Sequence, residues 1–223
     1  MFDTLLSLPL FQGLGHADLT RILESTRLEF ETASEGTVLL HQDDACEGLT
    51  FVLKGDVSLY TASADRSWGV EETLVTPSVI GLEVLYGSLR RHRHTLTTRS
   101  ETRLLQMDKR TVGALTAYFE VFRLNVMNQL TTTIVRRDLL HWLPAEASLQ
   151  GRIRGFMRAH VQRPAGYKVF NISQRLLGTY LGEDKRYISQ ALHQMEDADL
   201  LHLERRNIVV PSFEILLKHH FNK

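Results

Sequence analysis

The stretch that most constrains the fold runs from Ile172 to Leu201, ISQRLLGTYLGEDKRYISQALHQMEDADLL. It predicts two short helices joined by a tight turn. Ser173 suits an N-cap, because its hydroxyl can accept from the free N–H groups of a first helical turn. Leu176, Leu177, Tyr180 and Leu181 follow with helical period and define one apolar face. Gly182 can take the positive φ that ends a helix, and Asp184 can cap the next one. Ile188, Ala191, Leu192 and Met195 then fall at i, i+3, i+4 and i+7. The opposite face of that second helix presents Lys185, Arg186, Ser189, Gln190 and His193. This is the layout of a helix-turn-helix that reads DNA, with Lys185 and Arg186 in the turn that meets base edges. Arg can grip guanine O6 and N7, and Gln can grip adenine N6 and N7. Ser173 is placed to meet a phosphate at a helix N-terminus. The same spacing also fits two packed helices with a solvated polar face.

The following residues tilt that choice. Leu200 to Leu203 and Asn207 to Val210 are apolar runs flanking Glu204, Arg205, Arg206 and Asn207, the pattern of a β-hairpin with two arginines at its tip. Such a hairpin serves as the wing of a winged helix-turn-helix, which makes Arg205 and Arg206 phosphate candidates. A solvated turn is the competing reading for either one.

Charge is distributed unevenly. The 223 residues carry no formal net charge, yet the part from Pro144 onward is +4 and the part before it −4. An acidic front and a basic back suit a sensor joined to a nucleic-acid module. Cys46 is the sole cysteine, which excludes an intrachain disulfide and an iron–sulfur cluster held by one chain's thiolates. The first residues, MFDTLLSLPLFQGLG, lack the basic start and long apolar run of a signal peptide. No stretch approaches the ~20 apolar residues of a spanning helix. These features predict a soluble cytoplasmic protein without a membrane partner.

Residues 2–30 read as short helices. From Gly36 the period changes to two, with Val38 and Leu40, Phe51 and Leu53, then Lys54-Gly55 and Val57, Leu59 and Tyr60. Strand and turn signals continue to about Met107 and predict a β-roll. Glu120 to His141 contains neither Gly nor Pro and returns to helical period. Met127, Leu130, Ile134 and His141 lie on a stripe of roughly coiled-coil spacing, able to pack on a second subunit. A single buried helix fits the periodicity too. Pro144 ends the helix, and Ala145 to about Gln162 reads as a further helix.

The order is helix, β-roll, long helix, winged helix-turn-helix, an α+β chain. That order, with "PLFQGL" at 9–14, "EGTVLLHQDDACEGLTFVLKGDVSLY" at 35–60, "GRIRGFM" at 151–157, "LLGTYLGEDKRYISQALHQMED" at 176–197 and "NIVV" at 207–210, resembles the cyclic-AMP receptor protein / fumarate–nitrate regulator (CRP/FNR) superfamily of bacterial transcription factors. The resemblance implies a cyclic-nucleotide-binding-like effector domain over 1–118, a dimerisation helix over 119–143 and a DNA-binding domain over 144–223. It further implies a homodimer on a roughly palindromic stretch of double-stranded DNA, with recognition helices entering successive major grooves about 34 Å apart. RNA polymerase is an expected further partner.

Two departures from the family pattern carry information. The family's Gly-Glu pair for a ribose falls on Gly81-Leu82, with Glu83 one place late. Its Arg-Ser pair for a cyclic phosphate falls on His92-Arg93, or on Arg93-His94 with a one-residue shift. A one-residue slip in a strand turns a side chain to the other face. The effector residues are therefore expected among Gly81, Glu83, His92, Arg93, His94 and Thr132, with a small effector other than cyclic AMP. In the recognition helix the family's Arg-Glu pair falls on Lys185-Arg186 and a later Arg on Gln190, which predicts a different half-site. Alternatives are a regulator of the same fold that needs no effector, and a β-roll binding or enzyme module without DNA binding.

Other signals carry less. The basic run Arg90 to His94 reads as a solvated turn or an anion-binding loop. His92 and His94 lack the nearby carboxylate that a metal-binding roll would need, so no metal site is expected. Spacing neither supports nor excludes haem. Cys46 reads as a small apolar side chain or an inert surface thiol. No Ser/His/Asp arrangement or phosphate-cradling loop points to catalysis, so no catalytic residue is expected.

Overall fold

The computed structural model describes residues 2–26, 28–144 and 146–221. In chain order the elements are α1 (Phe2–Leu6), α2 (His16–Ser25), β1 (Glu29–Ala33), β2 (Val38–Leu40), β3 (Gly48–Lys54), β4 (Val57–Ala62), β5 (Gly69–Leu74), β6 (Ser78–Ile80), β7 (Thr95–Thr98), β8 (Thr102–Asp108), α3 (Lys109–Tyr118) and α4 (Glu120–His141). They continue with α5 (Leu149–His160), β9 (Lys168–Asn171), α6 (Gln174–Leu181), α7 (Lys185–Asp197), β10 (His202–Leu203), β11 (Ile208–Val210) and α8 (Phe213–Lys218). Packing divides the chain into two units. The first takes residues up to Ser58 and Leu74–His141; the second takes Leu59–Thr73 and Trp142 onward.

In the first unit β1, β8, β3 and β6 form an antiparallel sheet in that order. Leu49, Phe51, Leu105 and Met107, at alternate positions along β3 and β8, form its inner face; Thr50, Val52 and Leu104, at the intervening positions, are buried as well. The helices cover that face. Phe11 meets Phe51 and Phe122 edge-on at 5.9 and 5.3 Å, tying the N-terminal segment, β3 and α4 into one core. Asn125, on α4, donates to the carbonyls of Leu10 and Gln12, so the N-terminal loop is held by a polar contact as well.

The second unit is built on β9, which pairs with β11 on one side and with β5 on the other. β10 and β11 make a short hairpin at the sheet edge. Ile153, Phe156, Met157, Leu177, Ile188, Leu192, Met195 and Phe213 fill the core beneath it. Side-chain caps start its helices: Ser148 accepts from Gly151 N–H, Ser173 from Leu176 N–H and Asp184 from Arg186 N–H. α5 begins at Leu149, where the Ser148 cap sets its first turn, and ends at His160; Ala145, the start expected from the sequence, lies outside the described residues.

Two glycines permit the tight α6–α7 turn. Gly182 has φ 67°, and its neighbour Glu183 donates its N–H to Gly178 O at 2.9 Å. A Cβ at Gly178 would lie 2.6 Å from Glu183 O, so no larger residue fits the crossing. Tyr180 departs from the sequence expectation of a buried face: it is half exposed, and its hydroxyl accepts from the Trp68 indole N–H at 2.9 Å. No helix among the described residues is long and apolar enough to cross a membrane.

Candidate nucleic-acid interface

α7 buries Ile188, Ala191, Leu192 and Met195 and turns its other face outward. Lys185, Arg186, Gln190 and His193 are exposed there and Ser189 is half-buried, so the five share one concave face. The capping Asp184 lies beside them, its carboxylate already occupied by Arg186 N–H at 2.8 Å.

The β10–β11 hairpin stands next to this face. Glu204 N–H donates to Asn207 O at 2.9 Å, which closes a two-residue loop and lifts Arg205 and Arg206 to its tip. Asn207 fixes the loop from within: it donates to Glu204 at 3.1 Å and accepts from Asn171 Nδ2 at 2.7 Å. Ser173, Arg175, Lys185, Arg205 and Arg206 line one groove of about 300 Å³ between the helix pair and the hairpin.

Arg175 was not among the residues expected from the sequence. It follows the Ser173 cap by two positions on an exposed helix start, which is the signal that could have found it. Arg175, Lys185, Arg186, Arg205 and Arg206 are all exposed, and none enters an ion pair among the described residues. The neighbouring carboxylates are engaged: Glu183 pairs with Arg152, Asp184 caps α7, and Glu204 holds Asn207. The groove thus sets four cations against the one carboxylate of Glu204, a net positive charge beside a polar helix face suited to phosphate and base edges.

The expected effector residues behave differently from one another. Gly81 has φ 96° and faces Cys46 and His92; a Cβ there would lie 3.1 Å from Cys46 Sγ. Glu83 and Arg93 are exposed, whereas His92 and His94 are buried. The basic run is therefore not uniformly solvated. His92 N–H bonds Asp44 O and Asp43 N–H bonds His92 O, which draws the histidine backbone against the 43–46 loop. Burial, helped by Arg93 and Arg137, pushes His94 down to about 4. Burial also lowers His92, against the opposing pull of Glu83 and Asp44.

Arg137 of α4 lies within electrostatic reach of Arg93 and Glu83 and was missed by sequence reasoning. Thr132, the α4 residue expected instead, is exposed. His92 lines a cleft of about 520 Å³ whose walls include Glu29, Glu47, Gly48, Gln106, Asp108 and Thr111. Cys46 is buried rather than a surface thiol, with Sγ 3.3 Å from Gly48 O, and burial raises its pKa. Among the described residues no group of three or more His, Cys, Asp or Glu could hold a metal ion.

Residues 30–118 match the family model of the cyclic nucleotide-binding domain. Among solved structures, the Thermus thermophilus catabolite activator protein is similar at 20% identity and a TM-score of 0.53, over 94% of this chain and 97% of that one. The sensor domain of the transcriptional regulator DNR from Pseudomonas aeruginosa is similar at 16% identity and a TM-score of 0.50, over 66% of this chain and 95% of that one. No curated protein matches the sequence. The chain thus contains a cyclic nucleotide-binding domain within a catabolite-activator fold. That fold is the one the sequence resemblance implies.

Proposed function

We propose that this protein is a dimeric, sequence-specific DNA-binding transcription regulator. α6 and α7 act as the helix-turn-helix, and the β10–β11 hairpin acts as its wing. The observation that carries this reading is the set of five unpaired cations around one groove and one helix face. Arg186, Ser189 and Gln190 read base edges; Lys185, which lines both the helix face and the groove, reaches a base edge and a phosphate; Ser173, Arg175, Arg205 and Arg206 hold phosphates. The divisions 1–118, 119–143 and 144–223 serve as effector domain, dimerisation helix and DNA-binding domain.

Dimerisation is assigned to α4. Met127 and Ile134, seven residues apart, are 55% and 66% exposed, and Leu124, Val135 and Leu139 are exposed beside them. An apolar stripe of this spacing suits a coiled-coil partner, and a second copy supplies the same stripe. Two readers related by a two-fold axis imply a roughly palindromic operator in a cytoplasmic setting, with RNA polymerase as the partner through which binding acts. The role is regulatory rather than enzymatic.

The effector is a small molecule other than cyclic AMP, set against Gly81, Glu83, His92, Arg93 and His94. Exposed Glu83 stands one place late for the ribose, and two histidines buried in the phosphate segment change its hydrogen bonding. The test is titration of a mixed-sequence duplex and of an operator selected from a random library, at low and high salt. Salt-sensitive binding to both, tighter for the selected duplex, is expected. Absence of binding at low salt refutes the reading. Calorimetry with cyclic AMP is expected to show no micromolar binding.

A further inference from the structure

The hairpin β4–β5 lies inside the span matched by the cyclic nucleotide-binding model, yet Leu59–Thr73 groups with the second unit. β5 extends the sheet in the order β10-β11-β9-β5, pairing Gly69 with Asn171, Val70 with Phe170, Glu71 with Val169 and Glu72 with Lys168. The hairpin and the wing thus flank the same strand, β9, from opposite edges.

Two side chains lock this pairing. Glu72 and Lys168 face each other at 3.2 Å with 4% and 2% of their side chains exposed. The Glu72 carboxylate also accepts from Gln162 N–H at 2.7 Å and Arg163 N–H at 3.2 Å, in the segment that leads from α5 to β9. Lys168 Nζ donates further to Ala165 O at 2.8 Å. Charges this deeply buried persist only when paired and hydrogen-bonded, so losing one strands the other. Trp68 enters the core of the unit, its ring 5.2 Å from Phe156, 4.8 Å from His160 and 5.7 Å from Tyr180. Its indole N–H donates to Tyr180 on α6. One hairpin therefore touches α5, β9 and α6. β9 carries the wing through β11 and through the Asn171–Asn207 bond; α6 packs on α7.

We propose that Trp68 and Glu72 are positioning residues for DNA recognition, a reading that rests on the proposed DNA-binding role. Seated, the hairpin fixes the wing relative to the recognition helix, through β9 on one side and Tyr180 on the other. Its seating sets the affinity for DNA.

The test compares the full-length protein with Glu72→Gln, Glu72→Gln/Lys168→Met and Trp68→Phe. Amide exchange in β9 and β11 and affinity for a duplex, measured over a range of salt, are the readouts. Glu72→Gln is expected to speed exchange at Val169 and Phe170 and to weaken DNA binding at least tenfold. It should also lower the salt slope at least as far as Arg205→Ala does, because a displaced wing withdraws Arg205 and Arg206 together, and adding Arg205→Ala to Glu72→Gln should lower it no further. Glu72→Gln/Lys168→Met, which leaves no stranded charge, should recover exchange protection, slope and affinity. A purely structural role would lower the folded fraction and leave the slope unchanged, and that result overturns the proposal. So does faster exchange with unaltered affinity, or no change in either. Should Glu72→Gln fail to fold, Trp68→Phe is judged by the same criteria. If the wild-type protein binds no duplex at low salt, the DNA-binding role itself has failed and the proposal falls with it. A wild type that binds, with variants that bind equally well, refutes the positioning role alone.

Discussion

Replacing Arg205 with Ala offers a direct measure of how the groove meets DNA. Four exposed cations line the groove, Arg175, Lys185, Arg205 and Arg206. If each neutralises one phosphate, a dimer contacts eight, and log K falls against log salt with a slope of about −7. Between 50 and 200 mM salt that slope corresponds to a loss of roughly 20,000-fold in affinity. Arg205→Ala removes two contacts per dimer, so the slope drops to about −5.4 and the loss to roughly 2,000-fold. The substitution leaves the fold alone, because Arg205 is exposed at a turn closed by backbone bonds between Glu204 and Asn207. Fluorescence anisotropy with a labelled duplex at five or six salt concentrations reads the slope. Selected and mixed sequences should weaken alike, since a phosphate contact carries no base information. An unchanged slope would show that the wing tip does not touch the backbone and would refute the interface as drawn.

Arg186→Ala should cost about 1–3 kcal/mol on the selected operator and relax the preference at one base position, checked by repeating the selection with the variant. Ile134→Arg, at an exposed position of α4, should shift sedimentation from dimer to monomer while leaving the helical circular dichroism intact. His94 provides a pH test. Its folded-state value of about 4 lies below the ordinary 6.5, so between these values the unfolded chain holds the extra proton. Stability is full above 6.5 and declines as pH falls towards 4, by roughly 3 kcal/mol at the end of that window. His94→Gln should flatten this decline in denaturant titrations taken from pH 7 to pH 4; an equally steep decline would assign it to other groups.

The elements read most reliably from the sequence are those whose signals are local. Ser173, Gly182 and Asp184 mark the ends of α6 and α7 by cap chemistry, and the stripe Ile188, Ala191, Leu192 and Met195 is buried as its spacing predicts. The Glu204–Asn207 turn and α4 were legible for the same reason: neighbours three, four or seven residues apart carry the information. The basic run at 90–94 was half legible. Its arginines are exposed, but His92 and His94 turn inward, a choice made by the backbone bonds of His92 to the 43–46 loop.

Sequence alone thus determined the kinds of element, their order and the outward polar face of α7, because helical periodicity, capping and turn chemistry act within a few residues. Only the tertiary structure decided which strands meet. The pairing of β5 with β9 joins residues about a hundred positions apart, and nothing near Trp68 or Glu72 in the chain points to Tyr180 or Lys168. Likewise Arg137 comes within reach of Arg93 and Glu83 only through the packing of α4. A buried ion pair or a shared sheet edge is a property of two distant segments at once, and its energy appears only when the chain has brought them together.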